Sequence, residues 1–292
     1  MNLFRRLVLL AAVLALFAIP PVFAAKSPFR VMTYNLRYDN PDDGADNWRF
    51  RKDFIVSMIR YHGPRIFGVQ EGLVNQVHDL AMALPDYKWC GVGRDDGKEA
   101  GEFSAIFFDS SRFQLRSDST FWLSPTPDTP SKGWDAALNR IVTWARLKDK
   151  QSGADFYVFN THFDHLGVTA REESAKLLLR EIRRIAKNLP VIVTGDFNSS
   201  DTESPYSVLT AKSGDAGLHL EDALKICSAP HHGPLKTYAG FDVHKGIIGE
   251  RIDFVFVSEG ARVLKHATLS DFMSTERFPS DHLPVLVELQ LP

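Results

Sequence analysis

The run VIVTGDFNSS, Val191 to Ser200, constrains this chain more than any other stretch. A β-branched apolar strand ends in Gly-Asp-Phe-Asn, with Gly195 freeing the backbone where the strand stops. Asp196 and Asn198 are two apart, so strand alternation turns both side chains the same way. The carboxyl end of a buried strand is where open α/β sheets build their sites. A carboxylate and a carboxamide there can hold and activate a water: the Asp accepts its proton while the amide donates to a neighbouring oxygen. Taken alone, the tetrapeptide reads better as a strand stop with an Asx turn. Its weight comes from its company.

The chain opens with basic MNLFRR and an apolar run from Leu7 to Ile19, shorter than the ~20 residues that span a bilayer. Small residues follow, and residues 1–24 are expected to be a secretory signal, with the product exported to the periplasm or secreted. No cysteine lies near the cleavage region, which argues against a lipid anchor. The rest, 25–292, is expected to be one domain large enough to bury a core. Cys90 and Cys227 make no disulfide framework; they can pair in an oxidising compartment, and each is read first as a small buried residue. Formal charge is −2, and −4 once Arg5 and Arg6 leave with the leader. No basic excess is there to draw in duplex nucleic acid.

Strand patterns run over Phe29 to Tyr34, Ile66 to Gln70, Tyr87 to Val92, Ser104 to Phe108, Phe113 to Leu115, Ile141 to Leu147 and Phe156 to Asn160. Later ones are Ile252 to Val257, Arg262 to Leu269 and Leu283 to Leu291. Helical faces are marked by Phe54, Ile55, Met58 and Ile59, and by Val77, Leu80 and Leu84. Thr169 and Glu172 suggest a capping box for a helix through about Lys187, with Ala175, Leu178, Ile182 and Ile185 inward. Short helices are expected near Pro205 to Thr210 and Leu218 to Leu224. Arg94 to Phe103, Ser117 to Asn139 and Ser228 to Gly249 read as long loops, a common place for function. The mixed order fits two sheets with helices outside both.

Other strands also end in chemically useful groups. Phe29 to Tyr34 runs into Asn35, and Ile66 to Gln70 delivers Glu71; a carboxylate there suits a hard cation such as Mg²⁺. Phe156 to Asn160 leads to His162, Asp164 and His165. Asp253 lies in a strand of Ile, Phe and Val, where a charge is costly unless paired. Its expected partner is in Ser280-Asp281-His282, since an Asp that fixes a His tautomer steadies the imidazolium. Each alone has a structural explanation.

Together, YNLRY, VQEGL, NTHFDH, GDFNSS, RIDFVFVS and SDHLPV resemble the motif series of the endonuclease/exonuclease/phosphatase superfamily, the DNase I-like metal-dependent phosphoesterases. The resemblance runs from about Val31 to Leu289. It implies a four-layer α/β sandwich, two face-to-face mixed β-sheets flanked by helices. It also implies that Glu71 holds Mg²⁺ or Mn²⁺ with Asn35 and Asp281, and that Asp196, supported by Asn198, orients or deprotonates the attacking water. His282, polarised by Asp253, would donate to the scissile phosphate or its leaving oxygen, and His162 would contact that phosphate from the other side.

Such enzymes act on DNA, RNA, poly(A), sphingomyelin and inositol phosphates, so substrate choice belongs to the loops. Asn47 to Arg51, Gly101-Glu102-Phe103, Lys132 to Asp135 and Arg140 look most like an exported bacterial branch near the deadenylase-like exonucleases. Arg140, Trp134 and Asp164 are the candidate substrate contacts: Arg140 to fork onto a phosphate and Trp134, with Tyr238 and Phe241, to stack a base. His231, His232 and His244 lack zinc-ligand spacing, and GKEAGE lacks that of a phosphate loop. Three readings follow. The first is a phosphodiesterase for single-stranded nucleic acid or nucleotides, exonuclease-like and weak on duplex DNA. The second is a phosphoesterase for lipid headgroups or phosphorylated polyols, and the third an inactive binding module, disfavoured because the core residues are all present. A monomer is expected.

Overall fold

The computed structural model describes residues 27–212 and 218–292; the signal segment expected over 1–24 lies outside the described residues. Its strands are β1 (Phe29–Asn35), β2 (Ile66–Gln70), β3 (Tyr87–Cys90), β4 (Ile106–Asp109), β5 (Phe113–Trp122) and β6 (Ile141–Asp149), then β7 (Asp155–His162), β8 (Val191–Asp196), β9 (Leu220–Asp222), β10 (Asp253–Ser258), β11 (Arg262–Thr268) and β12 (Val285–Gln290). Four α-helices accompany them: α1 (Trp48–His62), α2 (Val74–Ala83), α3 (Val168–Ala186) and α4 (Ser204–Thr210).

The strands form two six-stranded sheets, ordered β11-β12-β1-β2-β4-β3 and β5-β6-β7-β8-β10-β9. Each has one parallel pair at its centre, β1 with β2 and β7 with β8, and antiparallel neighbours elsewhere. Inward residues such as Val31, Ile66 and Phe108 of the first sheet meet Leu147, Val158, Ile192 and Val255 of the second. The outer face of the first sheet, with Met32, Phe67 and Val69, is covered by Ile55 and Ile59 of α1 and Leu80 of α2. Phe159, Val193 and Phe256 on the other outer face are covered by Leu178 and Ile182 of α3 and Leu209 of α4. Four layers result, because every sheet face carries apolar side chains that must be buried.

Three local expectations are corrected. Ser117 to Trp122, read as the start of a loop, continues β5, paired with β6 through Trp122↔Ile141; its polar residues escape a hydrophobic pattern because they are the exposed side of a sheet edge. Leu218 to Leu224 is not a helix: Leu220–Asp222 pairs with β10 as β9. The Thr169–Glu172 capping box does not form. The N-cap of α3 is Gly167, and Asp135 accepts from the backbone N–H of Thr169 (3.3 Å) and Ala170 (2.6 Å). Cys90 and Cys227 are both free thiols.

Between the sheets lies one polar node. Asn160 of β7 donates through Nδ2 to the carbonyls of Val69 (2.8 Å) and Ala105 (3.0 Å) across the sandwich. Its Oδ1 accepts from Gln70 Nε2 (2.7 Å) and Thr194 Oγ1 (3.0 Å). Gly68 makes the crossing possible, since a Cβ there would collide with Asn160 and Thr194. Gly68→Ala is therefore expected to destabilise the fold by about 2–3 kcal/mol, the cost of overpacking a full core. Urea unfolding with an unchanged m-value would measure it.

Candidate active site

The strand register assembles the candidate site at one end of the sandwich. Asp253 lies directly opposite Asp196 across β10 and β8, and His162 opposite Asp196 across β7 and β8. From the first sheet, Asn35 ends β1 and Glu71 follows β2 with a left-handed φ of 62°. Asn35 joins the sheets here: its Nδ2 donates to Glu71 Oε1 (3.0 Å) and to Asp196 Oδ2 (2.9 Å). Asp196 Oδ1 accepts from the backbone N–H of Asn198 (2.9 Å).

His282 lies just before β12. Its Nδ1 donates to Asp253 Oδ2 at 2.9 Å, and its Nε2 is 3.7 Å from Asp196 Oδ2. Burial disfavours its charged form, but Asp253 and Asp196 more than offset that and hold its pKa well above the usual histidine value. The segment 237–240 fastens this loop in place. Leu283 N–H donates to Thr237 O and Ala239 N–H to Asp281 O, while Tyr238 meets the His282 ring edge-on at 5.2 Å. Arg51, fully buried, ties the carbonyls of Leu36 (2.7 Å) and Pro279 (2.6 Å) together from behind.

His162 is tuned the other way. Burial, then Arg140 and Arg94, push its pKa well below the usual value. Asn198 Nδ2 donates both to Phe163 O and to His162 Nε2, each at 3.0 Å. Nε2 is thus an acceptor and the proton resides on Nδ1, which has no partner. The expected contact of His162 with the phosphate therefore cannot be a donation from Nε2 in this arrangement. Its free N–H faces away, toward Glu102, whose Oε2 is 3.8 Å distant.

Glu71, Asp196 and His282 offer ligand atoms all within 4.8 Å of one another. Asp281, expected as a ligand, is outside that set; burial and the charge of Glu71 raise its pKa. Asp196 is pushed up to about 7 by burial and by Asp253. Glu71, Asp253 and Asp281 are further carboxylates, answered by the His282 imidazolium and, for Asp281, by the charges of Arg37 and Arg51. The free oxygens suit a hard divalent cation, and His282 Nε2, protonated, does not.

The candidate substrate contacts fare differently. Arg140 is buried at 4% exposure, its Nε donating to Asp164 Oδ2 (3.2 Å) and Nη2 to His165 Nδ1 (2.9 Å). Asp164 is not free to meet a substrate: it is 1% exposed, and it also accepts from the N–H groups of Ala137, Leu138, Leu166 and Gly167. Trp134 is exposed at φ 50° beside the Asp135 cap, and Phe241 packs on Arg51. His244 pairs with Glu276 and His231 with His266, not with a metal cluster. Arg94 and Glu102 form an ion pair at 2.5 Å beside His162; in the sequence Arg94 reads only as a loop residue, while Glu102 falls in the Gly101-Glu102-Phe103 motif. A cavity of about 600 Å³ lies by His62 and His266 and includes none of the site residues.

The family model of the "Endonuclease/Exonuclease/phosphatase family" matches residues 32–282. The chain belongs to that family. Solved structures agree. A family protein from Bacteroides thetaiotaomicron is 41% identical with a TM-score of 0.84, covering 91% of this chain and 98% of that one. A mannosyl-6-phosphatase from the same organism is 42% identical with a TM-score of 0.82, covering 89% and 99%. Mouse Nocturnin is 25% identical over 91% of this chain and 66% of its own length. The chain spans 60–66% of the length of the first curated relatives it matches.

The Asp164 hub has a pH signature. Backbone N–H groups and Arg140, working against burial, hold its carboxyl well below the usual range. A depressed pKa stabilises the fold above the ordinary carboxylate value, and the gain disappears as pH falls through the folded one. Asp164→Asn is expected to cost about 2–3 kcal/mol at pH 7. The gap from the parent protein should narrow below about pH 4, as read by urea midpoints across pH.

Proposed function

We propose that this protein is a divalent-metal-dependent phosphomonoesterase acting on a phosphorylated sugar or polyol. The phosphoesterase class is that of the family. The observation that carries the narrower reading is the 42% identity, over 89% of this chain and 99% of its relative, to a mannosyl-6-phosphatase. The absence of a basic excess in the sequence also suits a small substrate.

Glu71 would hold Mg²⁺ or Mn²⁺, with Asn35 Oδ1 and Asp281 beside it. The ion, when bound, neutralises charge on the phosphoryl oxygens. Asp196, poised near neutrality, orients the attacking water and accepts its proton; the Asn198 N–H and Asn35 amide fix its two oxygens. His282, kept protonated by Asp253, donates from Nε2 to a phosphoryl oxygen or the leaving oxygen as charge develops there. Asp253 holds the Nδ1–H tautomer by its 2.9 Å bond. His162 orients Asn198 through Nε2 and lies 3.5 Å from Asp196. Export through the apolar leader is part of this proposal.

A second reading, an exonuclease of single-stranded nucleic acid, is favoured by the Nocturnin match and by 23% identity to a Ccr4 exoribonuclease subunit of Candida albicans. Initial rates decide between them. Hexose 6-phosphates should be cleaved faster than oligo(A), bis-p-nitrophenyl phosphate or sphingomyelin. Faster oligo(A) cleavage would replace the first reading with the second.

Two further outcomes test the machinery. EDTA should abolish turnover and Mg²⁺ or Mn²⁺ restore it; full activity in EDTA would remove the metal from the account. Asp196→Asn and His282→Ala should each lower kcat at least ~100-fold, as for groups that move protons; the His282 variant should also lower Tm, because it leaves Asp253 buried without its partner.

A further inference from the structure

Asp253 reaches His282 through one oxygen only. Its Oδ2 bonds Nδ1 at 2.9 Å, whereas its Oδ1 is buried without a partner. A carboxylate bonded at a single oxygen takes its aim from the peptide that carries it and from the imidazole opposite. What holds those two peptides therefore decides how the pair meets.

On one side, β10 gives the Asp253 peptide no strand neighbour. β9 pairs only with Phe256, Val257 and Ser258, and Asp253 opens β10 at the far end from them. The Asp253 N–H donates instead to Thr237 Oγ1 (3.1 Å), which also accepts the N–H of Ile252 (3.0 Å). Those bonds occupy both lone pairs of the hydroxyl. Thr237 is 0% exposed, so solvent does not compete for either N–H.

The same residue holds the histidine side. Leu283 N–H donates to Thr237 O at 2.7 Å, and Tyr238 pairs with His282 in an isolated antiparallel bridge. Thr237 N–H is itself tied to Glu250 O (3.1 Å), just before β10. A single side chain grips the peptide of Asp253, and the carbonyl of that residue grips the peptide that follows His282.

We propose that Thr237 is a positioning residue of the reaction: its hydroxyl and its carbonyl set how Asp253 meets His282, and so where His282 presents Nε2. The proposal rests on the proton-donor role given to His282 above and is independent of which phosphate ester is cleaved. The hydroxyl is the part that matters. Val copies the shape of Thr but accepts no hydrogen bond, and Ser keeps the oxygen without the methyl group. Displacing a reacting group by about 1 Å costs on the order of 100-fold in rate, so a loosened clamp is read in kcat.

The test compares the parent protein with Thr237→Ser and Thr237→Val, alone and combined with Asp253→Asn. Assays use p-nitrophenyl phosphate and bis-p-nitrophenyl phosphate with Mg²⁺, so either reading of the substrate supplies a rate. Thr237→Val is expected to lower kcat at least ~10-fold with KM changed less than ~2-fold, and Thr237→Ser to recover most of the loss. Added to Asp253→Asn, the Val substitution should cost less than ~2-fold more, because it acts through the carboxylate already altered. The downfield proton resonance of the His282 Nδ1–H bond, assigned by its loss in His282→Ala, should persist in Thr237→Ser and weaken in Thr237→Val. Thr237→Ala carries the comparison if the Val variant does not fold. Equal fold-losses in the parent and Asp253→Asn backgrounds, a loss confined to KM or Tm, or a Ser variant no better than Val would overturn the proposal while leaving the role of His282 intact. Parent-like turnover in His282→Ala would overturn that role, and the proposal with it.

Discussion

The crossing of Asn160 between the sheets is the constraint on which the rest depends. Two sheets packed through apolar side chains alone can slide and rotate with little change in buried area. One carboxamide gripping the Val69 and Ala105 carbonyls admits a single offset. That offset brings the end of β1 and β2 against the end of β8, so that Asn35 can bond Glu71 and Asp196 together. Buried polar groups specify an arrangement because misplacing them leaves donors unmet. Gly68, by having no side chain, is the other half of the same device.

The two histidines show how one small volume supports opposite chemistry. His282 is buried between two carboxylates and stays protonated. His162 is buried near two guanidinium groups and stays neutral. Desolvation disfavours charge at both, so the neighbours decide. Those neighbours are set by strand register: Asp253 and Asp196 face one another because β10 and β8 pair in that register, and a one-residue slip would turn one of them to the other face.

The catalytic end of the fold is legible in the sequence because its residues stand at the borders of apolar strands: Asn35, His162 and Asp196 close one, Glu71 follows one and Asp253 opens one. Asn35, Glu71, His162, Asp196 and Asp253 all converge as those patterns suggested. What could not be read depends on paths through space. Asp135 caps a helix 34 residues later in the chain, and no local pattern announces that. Asp164 reads as a polar group near a catalytic His, yet its five donors come from two segments more than twenty residues apart. Arg94 reads as a loop charge and Glu102 as part of a loop motif, but their meeting with His162 follows from how that loop folds back on Gly72. The hydrophobic pattern ends at Leu115 because the rest of β5 is a polar edge strand with no apolar stripe to reveal it.

That polar edge has its own consequence. β5 closes one side of the second sheet, and a ten-residue border strand offers unmet backbone groups to any extended chain that drifts by. Here the border is broken by a register shift between Leu115 and Ser117. It also carries exposed Arg116 and Asp118 along its solvent side. A passing strand would have to follow a bend and place its side chains against charge. The segment that concealed itself from hydrophobic reading thereby keeps neighbouring molecules from annealing to the sandwich, and leaves its chemistry at the other end of the strands undisturbed.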